Sequence, residues 1–156
     1  MQITATNDFA ADVESVHAML TDEDFLAQVC VASGAARHRV AANADRAAIE
    51  RDLPSPSSVK RFVGETLTTL EVMEWSPTSP DGSRMATLTG SVQGMPVSMN
   101  ANVTLRPGGR GAVLRYDGTV EVHIPFLGKR LEEQAAPAML EAIDVQQRVG
   151  DEWLAR

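Results

Sequence analysis

The sequence predicts an α+β fold in which a curved antiparallel sheet wraps around one long C-terminal helix. Three observations predict it. Apolar and polar residues alternate through most of residues 35–124, the period of strands with one buried face. From Gly128 onward apolar residues recur at spacings of three and four, the period of a helix. The alternating runs are separated by short turns rich in Pro, Gly and Asp, the signature of hairpin-connected strands.

The elements follow in order. Residues 2–9, with Ile3, Ala5 and a closing Phe9, make a first strand. Asp12 then caps a helical run whose Val13, Val16, His17 and Leu20 share a face. Thr21 and Asp24 have the spacing of a capping box for a second helix, and Asp22, Glu23 and Asp24 place three carboxylates on its first turn. Negative charge is favourable there, which explains the triplet without a metal. The second helix carries Phe25, Leu26, Val29 and Cys30 and stops near Gly34. Two strands flank the turn Asn43-Ala44-Asp45, with Ala47, Ile49, Arg51 and Leu53 on one parity. Ser55 as cap, Pro56 at the first helical position and Gly64 as stop predict a short helix holding Val59, Phe62 and Val63.

The second half alternates more cleanly. One strand spans Thr66 to Trp75, and a turn at Pro80-Asp81-Gly82 leads to another from about Arg84 to Gln93. After Gly94-Met95-Pro96, Val97, Met99, Ala101, Val103 and Leu105 point one way while Ser98, Asn100, Asn102 and Thr104 point the other. Pro107 to Gly111 is a hairpin loop; strands flank it on both sides and no helix follows, so it is no phosphate cradle. Ala112, Leu114 and Tyr116 share a parity, Val120, Val122 and Ile124 continue the pattern, and Gly118 marks a bulge or bend. In the last helix Leu131, Ala135, Ala138, Ala142, Val145, Val149 and Trp153 form a long stripe, with Pro137 inside it. That proline leaves the Glu133 carbonyl without its usual partner.

Size and charge bound the function. A chain of 156 residues is the length of one domain, here residues 1–156, and buries enough surface to fold without staples. Fourteen basic against 21 acidic residues give a net charge of −7, which repels phosphate backbones and anionic lipid surfaces and makes nucleic acid a poor partner. No secretory leader and no membrane-length apolar run is visible, so no stable membrane insertion is expected. Cys30 is the single cysteine; the setting expected is reduced and cytoplasmic. His17, His38 and His123 lack neighbours at metal-ligand spacing, so neither a metal nor a cofactor is expected. The Ser57-to-Lys60 match to a Ser-x-x-Lys motif stands without its companion motifs.

Strand, two short helices, six strands and a long helix is the order of the helix-grip fold, and it resembles the START-like (SRPBCC) superfamily. The local resemblance is closest to the family catalogued as domain of unknown function 2505. It is carried by the segments Val16 to Phe25, Lys60 to Gly64, Glu74-Trp75, Gly118 to Pro125 and Glu152 to Leu154. The resemblance implies an apolar cavity between sheet and last helix. It implies no agreed reaction, so no catalytic residue is carried over, and Pro137 departs from the uninterrupted last helix it implies.

By alternation the inward residues are Val97, Met99, Ala101, Val103, Leu114, Tyr116, Val120 and Val122 from strands. Leu131, Ala135, Ala138, Met139 and Ala142 face them from the helix. Many are small, and seven methionines stand against seven aromatics in the chain. Either the helix sits close over a dry core, or a cavity persists and takes a ligand. Tyr116 needs a partner for its hydroxyl when buried. Arg51 and Glu71 pair around a ligand if both point inward. Parity around Glu71 is poor, because Leu70 and Val72 also call for burial, and it favours a solvated rim position for both. The expected function is binding of a hydrophobic or amphipathic small molecule without catalysis. Alternatives are a cyclase or aromatase on the same fold and a protein-interaction module. The expected assembly is a monomer or weak homodimer.

Overall fold

The computed structural model describes residues Met1 to Arg156. The strands are β1 (Gln2–Phe9), β2 (Arg37–Ala42), β3 (Arg46–Pro54), β4 (Thr66–Trp75), β5 (Arg84–Val92), β6 (Val97–Gly108) and β7 (Gly111–Val122). The helices are α1 (Val13–Leu20), α2 (Glu23–Ala32), α3 (Lys60–Val63) and α4 (Gly128–Leu154). The sheet order is β1-β7-β6-β5-β4-β3-β2, with antiparallel pairing throughout. Six consecutive strands form a meander. Only β1 is out of sequence, and it pairs with the last strand after the chain has made α1 and α2. The α+β architecture is the predicted one: a curved antiparallel sheet with a long C-terminal helix across it.

The two ends of the sheet are protected differently. At β1, the Gln147 side chain of α4 accepts from the Asp8 N–H (2.9 Å) and donates to the Asp8 carbonyl (2.8 Å). It satisfies an edge residue as another strand would. At β2, charged pairs Arg37–Asp52 (3.1 Å) and Arg39–Glu50 (3.0 Å) cover the outer surface.

The core lies between α1, α2 and the β1-β7-β6 part of the sheet. Phe9, Phe25, Met19, Leu105, Leu114, Val16 and Val103 are its largest fully buried apolar side chains. The C-terminal part of α4 closes over it, with the Trp153 ring edge-on to Phe25 at 5.6 Å. Gly150 permits that approach, because a Cβ there would overlap the Phe9 ring. His17 packs at the seam between α1 and the sheet. Its ring meets Trp75 edge-on at 5.1 Å, and Nε2 bonds the Ala44 carbonyl at 2.9 Å.

Three local expectations are corrected. The cap of α2 is Asp22, which accepts from the N–H groups of Asp24 (2.8 Å) and Phe25 (3.2 Å). Thr21 instead closes α1, donating to the His17 carbonyl (2.8 Å), because α1 ends one residue before α2 needs its cap. The short helix is a single turn, Lys60–Val63, with no side-chain cap; Ser55 is buried upstream of it and Gly64 ends it at φ +89°. No bulge occurs at Gly118, where pairing runs one to one through Ala101–Gly118 and Met99–Val120. The glycine is required by close approach: a Cβ would overlap the Asn100 carbonyl and Ala101. Pro137 lies inside α4, which runs unbroken from Gly128 to Leu154.

Candidate ligand cavity

Along β6 and β7 the inward side chains shrink from Leu105 and Leu114 to Met99, Ala101 and Gly118. On α4 the residues that face them are Ala135, Ala138, Met139 and Ala142. Small groups on both surfaces cannot meet, and a cavity of about 330 Å³ remains between sheet and helix. Twenty-seven of its 37 lining residues are hydrophobic. Tyr116 is the one aromatic among them.

Most of the residues expected to face inward do so. Val97, Met99, Ala101, Tyr116, Val120, Val122, Leu131, Ala135, Ala138, Met139 and Ala142 all line the cavity. Val103 and Leu114 do not. Both are fully buried in the core below it, because Phe9 and helices α1 and α2 fill the space on that side. Parity predicts the face of a strand but not what fills the space above it.

Arg51 and Glu71 are not rim residues. Register decides the matter: Arg51 lies opposite Thr69, and Ile49 lies opposite Glu71. Cross-strand partners share a face, and all four residues line the cavity. The apolar Leu70 that obscured the parity points outward and is 45% exposed. Arg51 is buried and donates from Nη2 to Glu71 Oε1 at 3.0 Å and from Nη1 to Ser33 Oγ at 3.4 Å. Burial opposes the Arg51 charge, but the Glu71 carboxylate beside it holds the guanidinium pKa above its ordinary value. Its Nε–H has no partner, and neither has the buried Thr69 hydroxyl opposite. The pair is therefore neutral as a whole, and the two unpartnered groups are buried within the cavity wall.

A second polar point is Tyr116. Its hydroxyl accepts from Gln146 Nε2 at 2.8 Å, and the same nitrogen reaches Asn7 Oδ1 at 2.9 Å. Burial pushes the phenol pKa up to about 12. The group is thus a fixed neutral hydroxyl whose proton remains free to donate, not a base. Sequence reasoning missed Gln146, Thr69 and Gly90. Gln146 was legible as a polar residue inside the apolar stripe of α4. Gly90 stood on the inward parity of β5 between Leu88 and Val92, where the Met99 side chain takes the space of a missing Cβ.

No group of three or more His, Cys, Asp or Glu side chains is arranged to hold a metal ion. Cys30 is buried, and burial raises its thiol pKa. No helix is long and apolar enough to cross a membrane.

Residues 4–154 match the family described as Protein of unknown function (DUF2505). The match covers nearly the whole chain, which therefore belongs to that family. No curated protein matches the chain. Among solved structures, the fold is similar to a STAR-related lipid transfer protein of Xanthomonas axonopodis, with 14% identity, coverage of 99% of this chain and 86% of that one, and a TM-score of 0.67. It is also similar to a START superfamily protein of Mycobacterium smegmatis (16% identity, 98% of each chain, TM-score 0.58). A protein of Thermus thermophilus is a third (17% identity, 97% and 95% of the two chains, TM-score 0.66). At these identities the likeness is one of fold, the START-like helix-grip.

Proposed function

We propose that this member of the family, a single START-like domain over residues 1–156, encloses a hydrophobic or amphipathic small molecule between the sheet and α4. The observation that carries the reading is the cavity of about 330 Å³ with apolar walls and two separate polar points. Apolar walls supply most of the affinity of such a site, and a few placed polar groups fix orientation. Here the aliphatic side chains of Met99, Val120, Leu131 and Met139 make the wall. The Arg51–Glu71 pair and the Tyr116 hydroxyl are the polar groups of the lining that meet the polar part of the ligand. The START-like neighbours support a binding domain by fold, which transfers architecture and not activity. Lipids, polyketide-like and isoprenoid-like molecules are the classes that suit such walls.

Native mass spectrometry after incubation with a total lipid extract tests the reading. A discrete bound mass is expected, and the unliganded mass alone would overturn it. A second reading, an enzyme of the cyclase or aromatase type, draws support from Tyr116 and Arg51 lining one cavity, where both can polarise a carbonyl. The raised Tyr116 pKa restricts that residue to donation at neutral pH, and the carboxylate that shares the cavity, Glu71, is paired with Arg51.

A further inference from the structure

Phe126 stands outside the fold. It is fully exposed, at 105% of the reference area, and its φ of +67° makes it the one non-glycine residue in the left-handed region. A bulky residue occupies that region only when the surrounding structure holds it there. Phe126 lies in the connection between Val122 and Leu131, both of which line the cavity. Phe62, 38% exposed, sits beside Val59 and Val63, which also line it. The segments that carry these rings are tied together. Ser58 Oγ donates to the Gln134 carbonyl of α4 at 3.4 Å, and the His123 N–H donates to the Pro96 carbonyl at 2.8 Å. The two aromatics thus belong to one rim at one end of the cavity, together with the exposed Pro96 and Pro125.

The charges on this rim differ from those of the whole chain. Its acids are Glu65, Glu121, Glu132 and Glu133. Two of them are paired with a cation: Glu65 with Lys60 (3.6 Å) and Glu132 with the N-terminal ammonium (3.4 Å). Arg61, Lys129 and Arg130 are exposed and have no carboxylate partner; Arg61 lies over the Phe62 ring at 4.9 Å. Three free cations against Glu121 and Glu133 leave a locally positive rim in a chain of net charge −7.

We propose that this rim docks reversibly on an anionic phospholipid bilayer. Phe126 and Phe62 enter the head-group layer, and Arg61, Lys129 and Arg130 meet lipid phosphates. Apolar Phe side chains insert at the head-group/acyl boundary, and basic side chains add salt-sensitive attraction to anionic lipid. Docking in this orientation turns the cavity toward the acyl layer. That consequence rests on the ligand-binding reading; the docking itself does not.

Sedimentation of the full chain with vesicles of phosphatidylcholine, with and without phosphatidylglycerol, tests the proposal. The chain is expected to bind the mixed vesicles. Phe126→Asp is expected to lower the partition coefficient roughly tenfold, the worth of one buried aromatic ring. Lys129→Glu with Arg130→Glu removes the preference for phosphatidylglycerol. Met85→Asp, at a side chain 49% exposed on the opposite end of β5, leaves binding unchanged. No sedimentation with either vesicle overturns the proposal, as it does if the rim serves a protein partner instead. Equal losses for Phe126→Asp and Met85→Asp also overturn it. Nile red uptake by the same samples keeps the two readings apart. Uptake without vesicle binding removes docking alone, and vesicle binding without uptake removes the cavity reading alone.

Discussion

The two ends of the β6–β7 hairpin share one parity and meet different interiors. Toward the hairpin loop, Val103, Leu105, Ala112 and Leu114 are fully buried against Phe9 and the helices α1 and α2. Toward the other end, Met99, Ala101, Gly118 and Val120 face open space under α4. The difference lies in the filler. Phe9, Phe25 and Met19 occupy the first region, while no Phe or Trp reaches the second. Helix α4 repeats the contrast, with alanines at 135, 138 and 142 over the cavity and Val145, Val149 and Trp153 beyond it. Close packing is the rule in protein interiors, so a stretch built from small residues on two facing surfaces marks where the rule is relaxed.

Truncations should separate the two ends. Leu114→Ala in the dry region is expected to cost about 2–5 kcal/mol, the range for a buried leucine whose surroundings cannot collapse. Met99→Ala on the cavity wall should cost less than about 2 kcal/mol, since its side chain already faces a void on one side. Urea denaturation measures both, and equal costs would erase the distinction.

Glu71→Leu strands the buried Arg51 charge and should cost up to about 3 kcal/mol, reduced by the partial exposure of Glu71. Adding Arg51→Met should recover most of that loss. A double-mutant cycle with no coupling would place the pair outside the low-dielectric wall.

The smallest effect is a pH dependence at the dry end. Burial holds the His17 pKa below its ordinary 6.5. The unfolded chain then binds the proton first, so the contribution of neutral His17 is complete above pH 6.5 and fades as pH falls toward the lowered folded value. Thermal melts should show the Tm falling over that window, and His17→Gln should flatten the slope. A slope unchanged in the variant would assign it to other groups.

Much of this was legible in the sequence, and the misses have physical causes. Strand bounds such as Thr66–Trp75 and the start of α4 at Gly128 follow from turn chemistry and period. The inward set on β6, β7 and α4 follows from alternation, with Val103 and Leu114 misplaced because alternation carries no information on depth. Arg51 and Glu71 needed the β3–β4 register, which is a long-range pairing. The one-turn α3 starts later than Ser55 and Pro56 suggest: the Pro56 carbonyl accepts from Val59 and Lys60, but the Ser55 N–H is bonded to the Glu65 carbonyl and its buried hydroxyl caps nothing. Gly118 suggested a bulge where the actual demand is backbone contact with β6.

The central claim is that the space under α4 is a binding site and not a packing defect. Nile red titration of the natural chain and of Ala138→Trp, with thermal melts of both, tests it most directly. Saturable binding by the natural chain that vanishes in Ala138→Trp, with the Tm kept or raised, is the predicted result. Equal binding by both folded proteins would contradict it.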